Sequence, residues 1–203
     1  MIKNIIFDFG DIFINLDKEA TPKGLAKLGI PKMTDEIVQL NHDYEKGMIE
    51  SEVFINFFKK KYNISKSDLL VAWNAILLDF PAKRFEFLKN LSASKKYRLF
   101  LLSNTNDLHF QYVKDIWGMK FYKDFKDCFE QFYLSYEIKL RKPDKEIFEF
   151  VLSENGLIAN ETLFVDDLKE NTDGASLLGI HVWNLNPTKE CVSNLLTIKS
   201  DLF

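Results

Sequence analysis

The chain has 203 residues, 46% of them hydrophobic, and a net charge of −3. That length suits one large domain or a domain with an insertion, with enough apolar content for a substantial core. No basic stripe marks a nucleic-acid surface. No apolar run approaches the roughly 18 residues of a membrane span, and Asp8 comes too early for a signal peptide.

The first predicted element is a strand over residues 2–7, IKNIIF, an apolar run with little polar alternation. Such a run suits a strand buried on both faces of a parallel sheet. Asp8 follows it directly, where a carboxylate projects into the crevice at the sheet edge and can attack phosphorus. Taken alone, Asp8 reads equally well as a turn aspartate. Gly10 lets the backbone approach a ligand closely, and its carbonyl is a candidate metal ligand.

The stretch 16–80 then breaks the alternation of strand and helix. Helices are predicted over 51–62 and 67–77, and no parallel strand is evident. This reads as a helical cap inserted after the first strand, with Pro81 near the return. The predicted division is therefore residues 1–15 with 81–203 as one unit, and 16–80 as a second. The lysines at 59–61 read as the solvated end of a helix.

The next strand is predicted over 97–102. It ends at Ser103-Asn104, a hydroxyl and adjacent N–H groups able to hold phosphate oxygens, although a turn or helix cap is the better reading of that pair taken alone. A further strand is expected over 129–134. Lys142 precedes Pro143, which is expected to open a helix with Ile147, Phe148, Val151 and Leu152 on one face and Gly156 beyond its end. A lysine there can neutralise a nucleophile and a transferring phosphoryl group. Lys139 is its nearby competitor. The strand at 162–165 ends in Asp166-Asp167, adjacent carboxylates that repel one another unless a cation sits between them. A helix over about 170–178 and a strand over 180–183 follow, then a loop and closing helix over 186–203.

Strands alternating with helices imply an α/β, doubly wound parallel sheet, whose ligands bind at the carboxyl ends of the strands. Asp8, Ser103 and Asp166-Asp167 are all predicted at such ends. Cys128 and Cys191 fit no metal spacing and read as buried small hydrophobes in a reducing, cytoplasmic setting. Of the histidines, His42 beside the cap residues Asp43 and Tyr44 is a better site candidate than His109, though both read first as surface or core residues.

FDFGD, LLSNTN, RKPDKEIF, VDDLKENTDGA and the cap string YEKGMIESEVF together resemble the haloacid dehalogenase superfamily, in its members with a small helical cap. The resemblance covers nearly the whole chain. FDFGD, LLSNTN and RKPD are most similar to the bacterial sugar-1-phosphate phosphatases, such as the α-D-glucose-1-phosphate type. It implies a Rossmann-like core and a Mg²⁺-dependent phosphatase acting through an aspartyl-phosphate on a small phosphorylated metabolite. Asp8 is then nucleophile and metal ligand, with the Gly10 carbonyl, Asp166 and Asp167 as the other ligands. Ser103 and Asn104 bind phosphate, and Lys142 balances charge. Tyr44, Glu45 and Lys46 belong to a cap that closes over the substrate.

One departure stands out. Most phosphatases of that superfamily carry a second aspartate, the general acid–base, where this chain has Gly10, and Asp11 falls one residue late. Two other readings stay open. A 2-haloacid dehalogenase uses an aspartate nucleophile without metal, and a non-catalytic protein that binds a phosphometabolite needs no general acid.

Overall fold

The computed structural model describes residues 1–203. Its elements run β1 (Asn4–Phe7), α1 (Ala20–Lys27), α2 (Asp35–Glu45), α3 (Ser51–Tyr62), α4 (Lys66–Asn74), α5 (Ala82–Ala93), β2 (Arg98–Ser103), α6 (Asp107–Trp117), α7 (Met119–Lys126) and β3 (Gln131–Leu134). There follow α8 (Ser135–Ile138), α9 (Lys145–Asn155), β4 (Thr162–Asp166), α10 (Lys169–Ser176), β5 (His181–Asn184) and α11 (Leu195–Ile198).

The five strands form one parallel sheet in the order β3-β2-β1-β4-β5, the expected α/β architecture with a Rossmann-like sheet. Side chains alternate across each strand. Ile5, Phe7, Leu99, Leu101, Leu163 and Val165 therefore enter a buried cluster on one face. Ile6, Phe100, Leu102 and Phe164 enter another on the opposite face with Ile147, Phe148 and Val151 of α9. β1 lies in the middle, buried along its whole length, and delivers Asp8 to the carboxyl edge.

Helices α1–α4 bury a cluster of their own, centred on Tyr44, Phe54, Phe58, Leu69 and Trp73. The two chain segments joining these helices to the rest run side by side. The Asp17 amide donates to Ile76 O at 2.9 Å, Asn15 to Asp79 O at 2.9 Å, and Leu78 to Asn15 O at 3.0 Å. This pairing ends α4 at Asn74, before the predicted boundary at 77, because Leu77 bridges Leu16 instead of continuing the helix. α2 had a readable signal: the Thr34 hydroxyl accepts from the Ile37 amide, with Asp35 and Glu36 in the first turn.

Other boundaries shift for local reasons. α9 begins at Lys145 because Asp144 is extended (φ −54°, ψ 134°), which leaves Pro143 in the preceding turn. Gly156 ends it in the left-handed conformation that glycine tolerates, φ 59°. The closing helix is short, a 3₁₀ turn and then α11. Cys128 is buried as expected, but Cys191 is only half-buried and accepts a 3.1 Å hydrogen bond from Ser193 Oγ. No helix is long and apolar enough to cross a membrane.

Candidate active site

Asp8, Lys142 and Asp166 meet at the carboxyl ends of β1 and β4. An ammonium has three protons to donate, and Lys142 Nζ gives one each to Asp8 Oδ1 (2.7 Å), Asp166 Oδ2 (2.7 Å) and Leu102 O (2.8 Å). The lysine is 1% exposed. Burial alone would pull its pKa down, but Asp166 and Asp8 outweigh that and hold it above the usual lysine range. Lys139, the competitor, donates instead to Gly47 O.

Asp8 is pushed up to about 7, first by burial and then by Asp166 and Asp167, with Lys142 opposing. Burial also raises Asp167, against the pull of Lys18. Asp166 is oriented by the Leu168 amide at 2.8 Å and by Asn171 Nδ2, which reaches both its oxygens at 3.1 and 3.0 Å. Asp8, Asp166 and Asp167 each offer a carboxylate oxygen, and these atoms lie within 4.8 Å of one another. Crowded, all-oxygen donors whose own charges raise two of their pKa values fit a hard divalent cation.

Ser103 ends β2, and its hydroxyl makes only a long 3.5 Å contact with Asn104 O, leaving it free to donate to an anion. The Asn104 side chain is engaged elsewhere. Its Nδ2 donates to Lys142 O at 2.8 Å, and its Oδ1 accepts from the Lys142 amide at 2.9 Å, so it positions the lysine backbone.

The residues 44–46 divide. Tyr44 is buried against Phe54, and its hydroxyl contacts Ser51 Oγ at 2.8 Å and accepts from the Leu108 amide at 3.2 Å. It packs within the helices and does not line the cavity beside Ser103. Glu45 does line that cavity, which holds about 120 Å³ and has Gly10, Leu16, Ser103 and Asn104 on its wall. Glu45 Oε2 accepts from Arg141 Nε at 2.7 Å. Lys46 pairs with Asp144 at 2.7 Å.

A Cβ at Gly10 would lie 2.7 Å from Leu16 Cδ1, so the apolar end of Leu16 stands beside this position. Asp11 takes a left-handed backbone, φ 56°, and its carboxylate shares Lys18 with Asp167. Its Oδ1 accepts from the Leu16 amide at 3.0 Å, and its Oδ2 pairs with Lys18 at 3.0 Å. Lys18 also reaches Asp167 at 2.5 Å.

Lys18 and Arg141 escaped the sequence reading. Lys18 reaches Asp167 across 149 residues and Arg141 reaches Glu45 across 96, and no local pattern encodes those two pairs. His109 rather than His42 reaches the cavity wall. Its Nε2 faces the Trp73 carbonyl at 3.2 Å, so that nitrogen carries the proton and Nδ1 accepts from Asn106 Nδ2 at 3.2 Å. Burial lowers its pKa to about 4, with the Trp73 carbonyl opposing.

A histidine depressed in the folded state binds a proton more readily when unfolded. Its neutral form therefore contributes stability above the unfolded pKa of about 6.5, and that contribution is lost as pH falls toward 4. Between pH 7 and 4 wild type should lose up to about 3 kcal/mol that His109→Gln does not. Urea unfolding of both proteins across that range checks this, and parallel pH curves would refute it.

The sequence model of the haloacid dehalogenase-like hydrolases matches residues 2–179. The chain is 28% identical over 193 residues to a D-ribitol-5-phosphate phosphatase of Bacteroides thetaiotaomicron, covering 90% of this chain and 91% of that protein. It superposes on a haloacid dehalogenase family enzyme of the same organism solved as a magnesium complex (34% identity, TM-score 0.85, 96% and 98% of the two chains). The complex of that enzyme with magnesium and inorganic phosphate gives 32% identity and a TM-score of 0.80, covering 94% and 97%. A haloacid dehalogenase-like hydrolase of Porphyromonas gingivalis is 27% identical with a TM-score of 0.81, covering 100% and 98%.

Proposed function

The chain belongs to the haloacid dehalogenase-like hydrolases, and we propose that it is a Mg²⁺-dependent phosphatase of a small phosphorylated sugar or polyol. The observation that carries this is the buried Lys142 ammonium, shared between Asp8 and Asp166 with Asp167 alongside. Asp8 attacks phosphorus and becomes the aspartyl-phosphate, which water then hydrolyses. Lys142 holds Asp8 aligned and offsets the charge of the transferring group. Ser103 donates to a phosphate oxygen, and Asn104 holds the Lys142 peptide in place. Asp8, the Gly10 carbonyl, Asp166 and Asp167 would hold Mg²⁺, which supplies neutralisation of the phosphoryl oxygens.

Residues 16–80 act as a cap over the core formed by 1–15 and 81–203. Tyr44 builds the inside of that cap, and Glu45 and Lys46 present its edge to the site. The 120 Å³ cavity has Glu45 of α2 and Gly10, Ser103 and Asn104 of the core on its wall, which supports a cap that meets the core beside the site.

Two features narrow the substrate in different directions. The bare Gly10 supports a good leaving group, such as the anomeric oxygen of a sugar-1-phosphate. The relative that acts on D-ribitol-5-phosphate supports an acyclic polyol phosphate. A metal-free dehalogenation reaction makes no use of Asp167 beside Asp166, so that alternative is less well supported.

Phosphate release should be measured on glucose-1-phosphate, glucose-6-phosphate and ribitol-5-phosphate, with Mg²⁺ and with EDTA. Release that requires Mg²⁺ is expected. Glucose-1-phosphate should outpace glucose-6-phosphate, because an absent general acid costs about 10²–10⁴ in rate on the poorer leaving group. Equal rates on the two glucose esters would remove the leaving-group argument. Chloride release from 2-chloropropionate in EDTA would replace the phosphatase reading altogether.

A further inference from the structure

We propose that Glu45, on the helical cap, is the general base for the water that hydrolyses the aspartyl-phosphate. The inference rests on the phosphatase reading above and addresses the function for which Gly10 has no side chain.

The neighbouring candidates are each placed otherwise. A side chain at position 10 would meet Leu16, so the space beside the backbone there is already filled by an apolar group. Asp11 is not on the wall of the cavity beside Ser103 and faces a separate one with Asp17 and Lys18. The cavity that adjoins Gly10, Ser103 and Asn104 has two titratable side chains on its wall, Glu45 and His109. Both ring nitrogens of His109 have partners, so it has no free lone pair to accept a proton from water. Glu45 remains.

Its surroundings suit the task. The carboxylate is 16% exposed and held at both oxygens, Oε2 by Arg141 Nε at 2.7 Å and Oε1 by Asn41 Nδ2 at 3.1 Å. An ion pair with a guanidinium aims the carboxylate, and each oxygen retains a lone pair. Arg141 Nη1 also donates to Lys142 O at 3.0 Å, the same carbonyl that Asn104 grips. The aim of Glu45 is thereby tied to the backbone of the lysine that contacts Asp8. The turn after Glu45 is fixed against the core as well, by Lys46–Asp144 and by Gly47, where a Cβ would lie 2.1 Å from Tyr136 O.

The chemistry is as follows. In the first half-reaction an Asp8 oxygen bonds to phosphorus. The ester P–O bond breaks, and the leaving oxygen keeps the electron pair and takes a proton from solvent. In the second, a water oxygen bonds to phosphorus, and the bond to Asp8 breaks with its electron pair returning to the carboxylate. The water proton passes to Glu45 and then to solvent. One water is consumed, and an alcohol and inorganic phosphate are released.

The test uses the full chain with Mg²⁺ and p-nitrophenyl phosphate, following nitrophenolate by stopped flow and phosphoprotein by acid quench. Glu45→Gln should retain a burst close to one equivalent, which also counts folded, competent sites. Its steady-state rate should fall by about 10²–10⁴-fold while phosphoprotein accumulates, and Glu45→Asp should recover part of the rate. A raised KM with unchanged kcat would make Glu45 a binding group and overturn the proposal. Loss of burst and steady state together, in both variants, would make it only a cap fastening and do the same. If wild type itself releases no phosphate from any ester, or Asp8→Asn works as well as wild type, the underlying phosphatase reading fails instead.

Discussion

Replacing Asp8 by Asn is expected to abolish phosphate release while leaving the fold intact. The amide cannot form the acyl-phosphate, and loss of a nucleophile elsewhere costs on the order of 10⁶ in kcat. The fold should survive because Asp8 is an electrostatic burden rather than a support. Burial and two neighbouring carboxylates push its pKa up to about 7, far above the 3.8 of a free aspartate. A carboxyl raised in the folded state costs stability once it ionises, and that cost fades as pH falls from 7 toward 4. Without metal, the Asn variant should therefore match or exceed the wild-type unfolding midpoint above pH 7. It should lose that advantage near pH 4. Phosphate release and urea unfolding on the same preparations check both halves. Retained activity would show that Asp8 is not the nucleophile, and a large stability loss at pH 8 would contradict the electrostatic account.

Lys142→Met should be the most damaging single change in the molecule. Methionine has a similar length and packs well in an apolar site, but it leaves Asp8 and Asp166 without their shared cation, the second of these fully buried. Removing one partner of a buried ion pair typically costs about 3–5 kcal/mol, because the remaining charge is stranded out of water. Three carboxylates within 4.8 Å make this worse. The Leu102 carbonyl also loses its 2.8 Å donor. Turnover should vanish, and the urea midpoint should drop sharply at pH 7. Adding Asp8→Asn to Lys142→Met should restore part of the stability, since one stranded charge is then gone, while activity stays at zero. A double variant no more stable than Lys142→Met alone would show that the lysine acts through packing rather than charge.

Lys142 is the junction through which the ends of β1, β2 and β4 are fastened. It reaches Asp8 from the first, Leu102 from the second and Asp166 from the third. Asn104 and Arg141 fix its backbone in turn, and Arg141 carries the connection to Glu45 on α2. If α1–α4 open as the proposed cap, the Glu45–Arg141 and Lys46–Asp144 pairs break, so on that proposal closure and alignment of Glu45 are one event.

Much of this was legible in the chain itself. Buried parallel strands need near-continuous apolar runs, so IIF, RLFLLS and TLFVD declare themselves, and the polar residue ending each run must lie at the carboxyl edge. By that rule Asp8, Ser103 and Asp166 lie at one edge. The helix of 51–62 was equally readable, because its apolar positions recur at helical spacing and Asn63 closes it in the left-handed conformation. What only the tertiary structure decided are the long-range polar pairs. Tyr44 and Glu45 are adjacent in sequence, yet one is buried among the helices and the other faces the cavity, because successive helical residues point about 100° apart. Likewise, Asp11 is turned toward Lys18, Leu16 fills the space beside Gly10, and Arg141 meets Glu45 across 96 residues. Apolar periodicity is a local property that burial imposes on each element. The partner of a charged side chain is set by where the whole chain brings its distant segments together, and no short stretch of sequence carries that information.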